Sequence, residues 1–124
     1  MNVLLVEPDL QLAATYSEYL RHSGYNVTAV GGGQQAVEAA DLQVPGVVVL
    51  ELELAGHNGI EFLHEFRSHR DWQDVPIIIH TMLPLKKLAQ QGAALKEFNV
   101  RMLLSKSTTT LSQLKNSIHK IATT

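Results

Sequence analysis

The residues of this chain able to do chemistry are Glu7, Asp9, Glu51, Glu53, Thr81 and Lys106, and each stands just past a short apolar run. Val3–Val6 leads into Glu7-Pro8-Asp9, and Val47–Leu50 into Glu51-Leu52-Glu53. Ile77–Ile79 leads into His80-Thr81, and Val100–Leu104 into Ser105-Lys106. Carboxylates, one hydroxyl and one amine brought to a common crevice suit a hard cation together with an anionic group. That chemistry exists only if the four runs end side by side.

Parallel strands would place them so. Continuous apolar runs bounded by turn residues fit strands buried on both faces of a parallel sheet. Four of the five runs read as apolar throughout, while Tyr25–Val30 is more polar and belongs nearer a sheet edge. Between them lie helical patterns. Leu12, Ala13, Tyr16, Tyr19 and Leu20 mark the first, opened by Pro8 or Asp9 and closed by Ser23-Gly24. A short Ala-rich helix from Gln34 to Ala40 follows, then one marked by Ile60, Leu63 and Phe66, with Arg67–Asp74 as a loop. Leu85, Leu88, Leu95 and Phe98 suggest a fourth, weakened by Gly92. Leu111, Leu114, Ile118 and Ile121 make the clearest apolar stripe, that of the fifth. Alternating strands and helices with right-handed crossovers predict a three-layer (βα)5 sandwich. In an open sheet of this kind, ligands gather at the carboxyl ends of the strands, so Glu51 becomes the organising residue.

A chain of 124 residues fits one domain, expected to span 1–124. The net charge of −2 and pI near 6.3 argue against direct nucleic-acid binding. The absence of cysteine excludes disulfides and thiolate metal sites. The start MNVLLVEPDL lacks the features of a signal peptide, and no run is long enough to span a membrane. The expectation is a cytoplasmic globular domain.

Taken in order, Val3-Leu4-Leu5-Val6-Glu7-Pro8-Asp9, Val48-Val49-Leu50-Glu51 through Gly56-His57-Asn58-Gly59, Pro76-Ile77-Ile78-Ile79-His80-Thr81 and Leu103-Leu104-Ser105-Lys106 carry a resemblance. Over essentially its whole length the chain resembles the receiver domain of bacterial two-component response regulators, of the chemotaxis-regulator kind. The resemblance implies a flavodoxin-like sheet of order 2-1-3-4-5. It also implies a phosphorelay role, in which an aspartate after strand three accepts a phosphoryl group from a histidine kinase. Two acids after strand one would hold Mg2+, and a Thr or Ser and a Lys would read the phosphate; Thr81 and Lys106 match these last two.

Other positions depart from that pattern. Glu51 stands at the phosphoacceptor position, and Pro8 at an acidic position expected to touch the metal. Ala55 and Ser107 replace prolines, and Leu103 replaces the aromatic switch residue. An added methylene moves a carboxylate by about 1.5 Å, and a misplacement of about 1 Å can cost on the order of a hundredfold in positioning-dependent transfer. Losing the acid at Pro8 removes a metal ligand from the same step. The expectation is an atypical receiver, independent of phosphorylation, with no catalytic residue and no cofactor, Mg2+ included. Glu7 and Glu51 are its weak metal candidates, and Glu7, Asp9 and Glu53 form its acidic pocket. A sharper reading has Glu51 partly imitate a phosphoaspartate by reaching toward Lys106 and Thr81. Output would pass to a protein partner, or a second copy of the chain, through the face of helix four, strand five and helix five.

Two rivals stand beside this reading: a working Mg2+-dependent phosphoacceptor that tolerates Glu51, with Asp9 as a metal ligand, and a small enzyme or nucleotide-binding domain. Against the second, Gly31-Gly32-Gly33 lacks the P-loop pattern and lysine, and no nucleophile–base pair is visible. His64 and His69 miss metal spacing, while His57 and His80 fall near the crevice. Trp72 reads as a hydrophobic cover, and Lys86-Lys87 either as a solvated pair or, by the resemblance, as the start of a partner-contact helix.

Overall fold

The computed structural model describes residues 1–54 and 58–122. The turn expected at Ala55-Gly56-His57 lies outside the described residues, as does the Leu85 side chain. The five strands are β1 (Asn2–Val6), β2 (Asn26–Val30), β3 (Val47–Leu50), β4 (Ile77–Thr81) and β5 (Val100–Ser105). They form one parallel sheet of order β2-β1-β3-β4-β5, the flavodoxin-like order expected.

Side-chain alternation along these strands feeds two apolar layers. Leu4, Val6, Val48, Leu50, Ile77 and Ile79 face the helices α2 (Gly33–Leu42) and α3 (Gly59–Ser68), packing with Ala36, Ala40, Phe62, Leu63 and Phe66. Val3, Leu5, Val47, Val49 and Ile78 face α1 (Leu10–His22) and α6 (Leu111–Ala122), packing with Tyr16, Leu20, Leu114, Ile118 and Ile121. Each fully buried Leu, Ile or Phe contributes about 1.5–3 kcal/mol, so these layers supply the main favourable term for folding.

Helix ends are set locally. Asp9 caps α1 by accepting from the Leu12 N–H at 3.0 Å, and Gly24, at φ +98°, takes the left-handed conformation that turns the chain into β2. Asn58 caps α3 by accepting from the Glu61 N–H at 2.9 Å. Gly59 lies so close to Leu52 that a Cβ would come within 2.8 Å of the Leu52 Cα. That contact fixes the start of α3 against the chain leaving β3. Thr110 and Gln113 form a reciprocal capping box at the start of α6, with N–H donors at 2.8 and 3.1 Å.

Three expectations need correction. The fourth helix is two short ones, α4 (Leu85–Gln90) and α5 (Gly92–Glu97), because the chain breaks at Gln91 and neither start has a side-chain cap. The stretch 67–74 is not all loop: Arg67 belongs to α3, and a 3-10 turn spans Arg70–Trp72. The Arg67 guanidinium donates to the carbonyls of Phe98 (2.8 Å) and Trp72 (2.7 Å). Trp72 is buried and stacks on Phe66 and His69. Finally, β5 is not apolar throughout or buried on both faces. The register skips Arg101 between the Ile77–Val100 and Ile78–Met102 pairs, and Arg101 and Leu103 are exposed.

Candidate functional site

The sheet ladder itself assembles the site. Glu7 and Glu51, the first residues past β1 and β3, still donate their N–H groups to the neighbouring strands, at Val30 O (2.9 Å) and Val6 O (3.0 Å). The Lys106 N–H likewise donates to Thr81 O at 2.8 Å, just past β5. Four strand ends are thereby level, and Glu7, Glu51, Thr81 and Lys106 meet.

Their side chains are buried, and each is hydrogen-bonded. The Glu51 carboxylate accepts through Oε1 from Lys106 Nζ (2.8 Å) and from the Met82 N–H (3.0 Å). Through Oε2 it accepts from the Glu53 N–H (3.0 Å) and from the Thr81 hydroxyl. Thr81 Oγ1 in turn accepts from the Leu83 N–H at 3.2 Å. The Glu7 carboxylate pairs with Lys106 through Oε1 and accepts from the Asp9 N–H (3.0 Å) through Oε2. Burial disfavours the charged form of Glu51, but Lys106, Thr81 and the two backbone donors outweigh it and hold its carboxyl below the ordinary value. Burial also works against the Lys106 ammonium, and the two carboxylates overcome it, raising its pKa.

Asp9 and Glu53 do not join Glu7 as an acidic pocket. Both side chains are exposed, and Asp9 is occupied in capping α1. Their backbone N–H groups take part instead, each bonded to the glutamate two residues earlier. Leu103, at the switch position, is 40% exposed. Behind the site, His80 is buried against the Tyr16 ring, edge to face at 5.0 Å. Burial, with the nearby Lys106 charge, pushes its pKa down to about 4, so it is neutral at pH 7. Neither the backbone donors nor this neutral pair is announced by residue type.

The residues present do not fit the Mg2+ ion that the resemblance implies. Pro8 brings no carboxylate, Asp9 is committed to a helix cap, and one oxygen of each buried glutamate already meets an ammonium. Among the described residues no group of three His, Asp or Glu side chains is placed to hold a metal ion.

Residues 3–119 match the family model of the response regulator receiver domain. The chain belongs to that family. This receiver is 37% identical over 81 residues to the probable transcriptional regulatory protein TcrX of Mycobacterium tuberculosis, covering 65% of the chain and 34% of TcrX. It thus spans well under half the length of that relative. Among solved structures it is similar to the Vibrio cholerae chemotaxis protein CheY4, with TM-score 0.85 and 21% identity over 97% of each chain. It is also similar to the receiver domain of the Pseudomonas aeruginosa sensor histidine kinase PA1611, crystallised with a magnesium ion in its active site cleft. There the TM-score is 0.85 and the identity 24%, over 99% of this chain and 98% of that one. The receiver is a signalling module of two-component type, and no helix among its described residues is long and apolar enough to cross a membrane.

Proposed function

We propose that this receiver signals without aspartyl phosphorylation, with Glu51 as a fixed negative charge in the place of the phosphoacceptor. The observation that carries the reading is the double engagement of its carboxylate by the Thr81 hydroxyl and the Lys106 ammonium. Those are the two groups that, in the family pattern, would read a phosphoryl group. A carboxylate offers one negative charge against roughly −1.5 to −2 for a phosphate, so the imitation is partial. With every Glu51 oxygen taken by donors, no lone pair is left aimed at an incoming phosphorus atom, and no metal ligand replaces Pro8. The module is therefore not an enzyme and needs no cofactor.

Its output is protein binding, to a partner or a second copy, through the face built from α4, α5, β5 and α6. The exposure of Met82 (59%) and Leu103 (40%) supports this choice of face. The domain works in the cytoplasm as one unit over 1–124. The magnesium in the PA1611 receiver favours the rival, a metal-dependent phosphoacceptor. Incubation with acetyl phosphate and Mg2+ followed by intact-mass measurement separates the two. The expected mass is unchanged; a stable increase of one phosphate mapped to Glu51 overturns the proposal.

A further inference from the structure

We infer that Lys106 is the resident cation of this receiver: its ammonium sits between Glu7 and Glu51 and closes the pocket to divalent metal ions. The inference deepens the reading of Glu51 as a fixed charge and rests on it. The side chains of Lys106, Glu7 and Glu51 are 4%, 3% and 4% exposed, so the cation and both anions are enclosed together. Each glutamate turns its Oε1 to the ammonium and its Oε2 to the N–H two residues along the chain.

Charge accounting favours the arrangement. Two carboxylates and one ammonium leave a single negative charge, which the N–H groups of Asp9, Glu53 and Met82 and the Thr81 hydroxyl stabilise. His80, neutral behind the site, adds no positive charge. A magnesium ion demands near-octahedral oxygen ligands and keeps several waters. To enter, it must evict the ammonium from both Oε1 atoms or lie against it, with like charges in a poorly solvated space. The ammonium cannot easily leave, because the Lys106 backbone is held to Thr81 O at 2.8 Å and its stem is enclosed.

The consequence is a latent metal site that one substitution uncovers. Lys106→Met keeps most of the stem volume and removes the charge, leaving two carboxylates converging on one point. Titration with Mn2+ alone, followed by the loss of its free-ion paramagnetic resonance signal, reads the outcome. The expected result is no binding to the wild-type protein at millimolar Mn2+, and binding to Lys106→Met at least about tenfold tighter. Adding Glu7→Gln to that variant should abolish the gain. Wild-type binding at these glutamates, or a folded Lys106→Met that gains nothing, overturns the inference. If Lys106→Met does not fold, the wild-type lysine ammonium resonance decides. It should be protected from exchange and unmoved by millimolar Mg2+, and its displacement overturns the inference. Metal binding without phosphoryl uptake would sink this inference alone, whereas phosphoryl uptake at Glu51 would sink the proposed function and this inference with it.

Discussion

Two segments leave the same end of the sheet from adjacent strands, and they are built differently. The one after β5 starts at Lys106, whose side chain is pinned in the pocket, and enters α6 through a reciprocal cap. Its helix runs 12 residues on an unbroken apolar stripe. The one after β4 starts at exposed Met82 and continues as two helices of 6 residues each, neither with a side-chain cap. Helices this short have little stability of their own and depend on packing. The site is therefore firm on the Lys106 side and soft on the Thr81 side. What ties the soft side to the pocket is a pair of backbone donors, Met82 to Glu51 and Leu83 to Thr81.

The largest expected break in this contrast comes from the firm side. Lys106→Ala leaves two buried carboxylates without their cation and should cost about 3–5 kcal/mol by urea unfolding. Lys87→Ala, exposed on α4, should stay within about 0.5 kcal/mol. Equal losses at the two lysines would erase the distinction.

Acid should act next. His80 takes up a proton at about 6.5 when unfolded but only at about 4 when folded, so the unfolded state binds the proton first. Stability should then fall as pH drops from 6.5 towards 4, by roughly 3 kcal/mol in all. Below 4.5, the ordinary Glu51 value, the contribution of that carboxylate is lost as well, as the pH falls through its lower folded value. Denaturation curves across this range should flatten above pH 4.5 in His80→Leu, and an unchanged slope would count against a buried neutral histidine.

Smaller effects sharpen the contrast between the helices. Thr110→Ala removes the α6 cap and should cost about 1 kcal/mol. Gly92→Ala starts α5 with a better helix former in open space, and should gain about 0.4–1 kcal/mol in thermal unfolding. Helix α6 should hold its amide protons longer than α4 and α5 in hydrogen exchange, with Gly92→Ala narrowing the gap.

The strand ends were legible because period and residue type suffice to place Glu7, Glu51, Thr81 and Lys106 just past apolar runs. The sheet order came through the resemblance those pieces carry. What escaped was which atom each neighbour would offer. Glu51 and Glu53 are two apart, a spacing that shares a face in a strand, but β3 stops at Leu50 and the chain turns. Glu53 then sends in its N–H and leaves its carboxylate outside, as Asp9 does beside Glu7. The division of α4 from α5 escaped because Leu88 and Leu95 are both buried, and so read as one stripe across the break. Arg67 looked like a solvated loop charge, since nothing in residue type reveals carbonyls 31 and 32 positions away as its partners. The Thr110–Gln113 capping box escaped too, although its spacing is one that marks a helix start.

Those Arg67 bonds have a mechanical consequence. The guanidinium clamps the carbonyls of Phe98 and Asn99 to the end of α3, so the far end of the α4–α5 segment is bolted down well away from the pocket. The near end hangs on the two donors at Met82 and Leu83. Between those ends Leu88 and Leu95 are buried in the core, so the segment is tied to the sheet at both ends and along its middle.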